Sequence, residues 1–267
     1  YYKYEFERYW HYFQLFGRLG YNPATSPEIW NREFESRFGN EAGEVVREAL
    51  HRASMVLPMI VAACSPAGTF PTTRGWPEKQ RYGDLPEYAS AEGSDIQQFA
   101  SFDTAARILI EGGETAKRLP SETSAWFART SSELNQLIAK AGKLVTNENK
   151  EFFSTLTDLK IVSNLALYHS FRIPAAVSYK LYKRSGDPHA LDDAIQYEKQ
   201  AISAWQNIVD AASDVYASNL MFGANASEYK DMVHHLSGHW AEELTYLQIG
   251  LEKLQSERNT YGEIDKP

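Results

Sequence analysis

Apolar residues recur every three or four positions along most of the chain, and the strict alternation of a half-buried strand hardly occurs, so the sequence predicts an all-α fold, a multi-helix antiparallel bundle. A first helix is expected from Lys3 to Leu19, where Phe6, Trp10, Phe13 and Gly17 fall on one face and Gly20 is placed to end it. Thr25-Ser26-Pro27-Glu28 reads as a capped start for a second helix that reaches Phe38 and closes on Gly39. A third, from Glu41 to Cys64, buries Val45, Leu50, Val56, Leu57 and Ile60, with a kink expected at Pro58. Helices resume from Ser94 to Glu111, stopped by Gly112, and from a Ser121 cap to Leu144. Glu148 to Arg184 is one long helical pattern with a kink expected at Pro174, and Ser185-Gly186-Asp187-Pro188 turns it back into a partner from His189 to Tyr216, with Leu191, Ile195, Ile202, Trp205 and Ile208 facing the core. A last helix is expected from Gly238 to Glu257, followed by a frayed tail.

This pattern divides a single helical domain, 1–267, into N-terminal helices (1–64), a long loop (65–94), a helical bundle (95–258) and a tail (259–267). The loop is the exception to the periodicity. It is rich in Pro, Gly and aromatic residues and, at about 30 residues, far exceeds the usual connection, which marks it as functional or as packed on another domain. One tetratricopeptide-like copy is visible around Leu181 to Ala201, but a solenoid needs about three stacked repeats.

Composition narrows the partners. With 27 basic and 35 acidic residues the formal charge is −8, which argues against nucleic acid or an anionic membrane surface, either of which calls for a basic face. The longest apolar run, Met55 to Cys64, is about half of what a membrane span requires. A lone cysteine, Cys64, leaves no intramolecular disulfide and does not discriminate between redox compartments. The chain opens without Met or a signal-like segment, so its start reads as an excision point, and the crowded Tyr9, Trp10, Tyr12, Phe13 and Phe16 are expected to pack on something, such as a domain preceding residue 1.

Motifs that would carry chemistry are sparse. His235 and His239 stand four apart, as zinc ligands on a helix can, with His234 beside them, but Gly238 intervenes and no Glu directly follows the first His. Capping and interhelix hydrogen bonds are the plainer reading, so no metal and no cofactor is expected. The carboxylate pairs Glu33/Glu35, Asp192/Asp193 and Glu242/Glu243 sit too close in sequence to face each other across a substrate. Cys64 ends an apolar helix, and neither a Gly-x-Ser-x-Gly elbow nor a phosphate-binding Gly-rich loop occurs. The long loop offers another chemistry. Trp76, Tyr82 and Tyr88 supply flat apolar faces and Arg74, Glu78, Arg81 and Asp84 supply polar ones, a mixture that suits a sugar; the same residues could equally pin a long loop onto the helical body.

One stretch carries a family resemblance. Trp10 to Gly39, read as Trp-x5-Phe-Gly-Arg-Leu-Gly-Tyr-Asn-Pro-x3-Pro-Glu-Ile-Trp-x2-Glu-Phe-x3-Phe-Gly, resembles the segment that follows the catalytic (β/α)8 barrel in bacterial glycoside hydrolases, particularly family 67 α-glucuronidases. Tyr21 stands where that family has Trp, and Gly20 where it has Ala. The resemblance implies a helical C-terminal domain that supports an upstream catalytic barrel, which holds the family's catalytic carboxylates, so none is carried over to this chain. The expected substrate-binding residues are Arg74, Trp76, Arg81 and Tyr82. Expected partners are an oligosaccharide or polysaccharide, the upstream barrel and a second copy of the chain; the compartment stays open, with a periplasmic or secreted one favoured over a cytoplasmic one. The alternatives are a free-standing helical module that binds a protein through its aromatic first helix, and a metal-dependent helical enzyme using His235 and His239.

Overall fold

A computed structural model describes residues 3–64, 84–146, 149–213, 215–218, 220–221 and 237–264. The fold is all-α. Among the described residues the helices are α1 (Glu5–Arg8), α2 (Trp10–Tyr21), α3 (Glu28–Phe38), α4 (Asn40–Ala53), α5 (Val56–Ala63), α6 (Leu85–Ser90), α7 (Phe102–Glu111), α8 (Pro120–Leu144), α9 (Lys150–Ser185), α10 (Pro188–Ala212) and α11 (Trp240–Ile264). A two-residue antiparallel pair, β1 (Leu220–Met221) with β2 (Ser237–Gly238), is the sole sheet among them. No described helix is long and apolar enough to cross a membrane.

The bundle is organised around α9, a 36-residue helix that packs against α6, α7, α8 and α10. It starts where the Asn149 side chain accepts from Phe152 N and runs unbroken through Pro174. It stops where Gly186 takes a left-handed φ of 72° that a side chain would strain. Asp187 then accepts from His189 N and Pro188 opens α10, so the chain reverses in two residues and α9 and α10 form the expected hairpin. Their facing residues, with those of α8 and α11, make the main core around Trp205, Tyr168, Leu165, Leu191 and Leu247. A second cluster joins Phe34, Phe38, Val45, Val46 and Phe152, where α3 and α4 meet the start of α9.

Several helix bounds differ from the sequence reading for local reasons. The single helix expected over 41–64 breaks at Ser54 and Met55, and Pro58 falls in the first turn of α5. There its missing N–H costs nothing, whereas inside a continuous helix its ring would collide with the carbonyl four residues back. The expected first helix is interrupted at Tyr9, and its second part runs past Gly20 to Tyr21. At α3 Pro27 stands at the N-cap, and the Ser26 hydroxyl accepts from Glu28 N at 3.3 Å, as the expected Ser26 cap would. Ser121 lies inside α8 instead of capping it, since Pro120 occupies the first turn and the Glu122 side chain accepts from Leu119 N.

Residues 94–101 are not helical. Ser94 N and Asp95 N donate to the carbonyls of Val61 and Ala62, at 2.9 and 3.2 Å, and hold this strip along the end of α5. Only glycine fits at Gly93, because a Cβ there would come within 2.1 Å of Ala62 O. The helix waits for Ser101, whose hydroxyl accepts from Thr104 N. Within the stretch read as a loop, Asp84 accepts from Glu87 N and starts α6, which buries Leu85 and Tyr88 completely. At the other end, α11 continues past Arg258 to Ile264.

Candidate functional site

The residues expected to bind sugar, Arg74, Trp76, Arg81 and Tyr82, lie outside the described residues, as do Glu78, His234 and His235. The described residues that flank this stretch are Cys64, at the end of α5, and Asp84, at the start of α6. Asp84 caps α6 and pairs with Lys253 of α11 at 3.4 Å. Tyr88, counted in sequence among the exposed aromatic faces, is instead wholly buried, because α6 turns its inner face onto α9.

Tyr88 enters a polar centre that the sequence reading missed. Its hydroxyl lies 3.0 Å from His169 Nδ1, and Cys64 Sγ lies 3.7 Å from the same nitrogen. One turn along α9, the guanidinium of Arg172 sits over the Tyr88 ring at 4.9 Å, donates to the Tyr168 hydroxyl, and pairs with Glu198 of α10 at 3.5 Å. Arg172 and Glu198 are both essentially inaccessible to solvent. Tyr168 packs edge-on against Trp205, whose indole N–H donates to Trp240 O at 2.9 Å and ties α10 to α11.

Burial sets the charge states here. It works against the charge on Arg172, but Glu198 and Tyr168 outweigh it and hold the guanidinium protonated. Burial pushes the Glu198 carboxyl up, while Arg172 pulls it down. Burial, with Arg172 nearby, drops His169 to about 3 and keeps its imidazole neutral; burial raises the Cys64 thiol to about 12, so it stays a thiol. A neutral histidine and a protonated thiol with no solvent path make a poor acid–base or nucleophilic pair. The cluster ties α6, α9 and α10 to one another beside the end of α5.

The signal for this centre was in the sequence. Arg172 and His169 interrupt a long apolar run in α9, and Glu198 falls on the same helical stripe as Ile195, Ile202 and Trp205. A charge on a core-facing stripe calls for a partner on the facing helix.

The other candidates have structural roles. His239 sits just before α11, where its Nδ1 accepts from Ala241 N at 3.2 Å. Among the described residues, no group of three or more His, Cys, Asp or Glu could hold a metal ion. Glu33 pairs with Arg37, and Asp192 takes a bidentate bond from Arg258 at 2.7 and 2.9 Å, as ion pairs do on helix surfaces.

A different surface forms at the N-terminal helices. Phe6, Glu7, Trp10, Phe13 and Arg37 line an open groove. Trp10 anchors it: its indole N–H donates to Glu151 at 3.0 Å, its ring meets Phe34, and Arg37 lies 4.4 Å from the ring centre while bonding both oxygens of Glu151. Arg8 adds a tie to Asp158 at 3.0 Å and to the Tyr216 hydroxyl at 2.6 Å. Beyond these ties α2 has no buried residue.

No protein-family model matches this chain, and no curated protein does. A solved structure does: a protein described as a GH138 enzyme targeting pectin rhamnogalacturonan II superposes with a TM-score of 0.75 at 14% identity. The likeness covers 96% of this chain and 38% of that enzyme. The chain therefore has the fold of a helical part of a GH138 glycoside hydrolase and spans well under half its length. At this identity the likeness shows the fold alone, and it does not single out family 67.

Proposed function

We propose that this chain is the helical C-terminal domain of a carbohydrate-degrading glycoside hydrolase, supporting a catalytic barrel and lending residues 65–83 to the substrate cleft. The observation that carries this reading is the structural likeness across 96% of the chain to part of a pectin-targeting enzyme. The Trp10–Gly39 resemblance supports it from the sequence side and points toward α-glucuronidase-like enzymes. The substrate class that fits is a uronate-bearing polysaccharide. Trp76 and Tyr82 stack on sugar faces, and Arg74 or Arg81 meets a uronate carboxylate, for which a guanidinium offers two parallel donors. The buried centre at Arg172 serves this function indirectly, by fixing α5 and α6 at either end of that stretch.

Calorimetry with uronate-containing and neutral oligosaccharides, on the chain and on its Trp76→Ala variant, tests the reading. Uronate-selective binding should weaken about tenfold or more in the variant, the loss of about 1.4 kcal/mol of contact free energy. Equal affinity in both proteins removes the sugar role from Trp76. The rival, a free-standing interaction module, draws on the exposed aromatic α2, and it gains if the protein encoded by the gene turns over no glycoside.

A further inference from the structure

The geometry points to the outer face of α1 and α2 as the docking surface for the adjoining domain of the same polypeptide. The inference rests on the proposed role of this chain as one domain of a larger enzyme.

Two independent observations lead there. The first is where the exposed apolar side chains lie. Eight of the large hydrophobic residues exposed on the described structure, Tyr4 to Tyr21, fall within 18 consecutive positions, while the other nine are scattered over residues 55–249. Phe16 and Tyr21 are 70% and 93% exposed. Single exposed apolar residues are ordinary on a protein surface, but a contiguous aromatic patch of this kind marks an interaction site. Arg8, Trp10 and His11 tie the start of the segment that carries it to the bundle, and Gln14 and Leu15 in its middle are half-buried. Every residue from Phe16 to Tyr21 is exposed.

The second observation is a pair of glycines that nothing among the described residues explains. Gly17 and Gly20 both lie within α2, where glycine weakens a helix, and a Cβ on either would meet only open space. Phe13, Phe16, Gly17 and Gly20 follow the i, i+3, i+4, i+7 spacing of one helical stripe. Aromatic side chains flanking a flat, side-chain-free strip let another backbone come close, as in a packed protein interface. Stacking on a sugar would use the rings and leave the glycines without a purpose.

Charge and linkage identify the occupant. Arg18 is the one charged residue in α2, although the whole chain carries 62 charged residues, so the α2 part of the face has the aromatic, charge-poor character of an interface core, while α1 carries Glu5, Glu7 and Arg8. The likeness to the GH138 enzyme places this fold in a chain more than twice as long, so on the proposed role the face would meet a domain tethered in the same polypeptide. A tethered domain meets the face at a high effective concentration, whereas a second copy must find it by diffusion.

Hydroxyl-radical footprinting of the polypeptide as its gene encodes it tests the inference, with Met55 and Leu109, exposed on other parts of the described structure, as internal references. After correction for intrinsic reactivity, Phe13, Phe16 and Tyr21 should label at least about fivefold more slowly than these references, at every protein concentration. Gly17→Leu should restore fast labelling at Phe13 and Tyr21 while the buried Phe127 and Trp205 stay protected, which shows that the bundle remains folded. Labelling as fast as the references overturns the inference. Protection that appears only as concentration rises, with a doubled mass by light scattering, assigns the face to a second copy and overturns it too. Turnover of pectic oligosaccharides by the same preparation separates the two ideas. A protected face without turnover leaves the docking surface standing and removes the enzyme reading, and turnover with a fast-labelling face does the reverse.

Discussion

Helices α9 and α2 are both rich in aromatic residues, and the structure treats them in opposite ways. In α9, Phe152, Tyr168, Tyr179 and Tyr182 are buried, each facing another element of the bundle. In α2, no residue is buried, and Tyr12, Phe13, Phe16 and Tyr21 are all exposed. The polar groups differ in the same way. α9 carries a guanidinium and an imidazole into the core and supplies partners there, whereas α2 carries almost no charge and is left uncovered by the other described residues. Burial of apolar area stabilises a helix only where there is something to bury it against, so composition alone does not tell a core helix from a docking helix.

The sharpest way to break this contrast is at Arg172. Arg172→Met leaves the Glu198 carboxylate buried without its cation and should cost about 3–5 kcal/mol of stability in urea unfolding; adding Glu198→Leu should recover most of the loss. A small effect of the single variant would mean that the centre is less dry than its burial indicates.

A comparable effect, spread over the acid range, comes from His169, whose folded-state value of about 3 lies below its ordinary 6.5. The unfolded chain takes up the proton first, so this contribution is complete above about pH 6.5 and is lost as pH falls toward 3, by about 1.4 kcal/mol per pH unit. Glu198, pushed up by burial, acts with the opposite sign in the acid range. The readout is therefore the difference between the wild-type chain and His169→Gln in urea unfolding at pH 7, 5 and 4, which should narrow as pH falls.

The smallest expected effect is on the other side of the comparison. Phe16→Ser should change this domain's own unfolding by no more than about 0.5 kcal/mol, because the ring touches solvent and not the core. A loss of several kcal/mol would show that α2 is packed into the bundle after all.

Much of the fold was legible. The α9–α10 hairpin follows from Gly186, Asp187 and Pro188, whose conformational and hydrogen-bonding preferences act over two or three residues and need no tertiary help. The core stripe of α10, from Leu191 to Ile208, was equally plain. The misses occur where a distant segment decides. Residues 94–101 show helix-like periodicity, but their amides go to the end of α5, and Ser101 sets the later start. α6 is a six-residue helix that gains its stability by burying Leu85 and Tyr88, which a local pattern inside a Pro-rich stretch does not reveal. The polar centre was visible as charges on apolar stripes, but which residue answers which was not.

The amino-acid sequence by itself determined that this protein is helical and where the α9–α10 reversal lies. It determined those things because helix periodicity, capping and turn chemistry act between residues a few positions apart. Only the tertiary structure decided that Arg172 meets Glu198, that Tyr88 turns inward while Phe16 and Tyr21 face outward, and that Gly17 and Gly20 lie in open space. Burial and pairing are properties of what lies on the other side of a side chain, and that is set by segments far away along the chain.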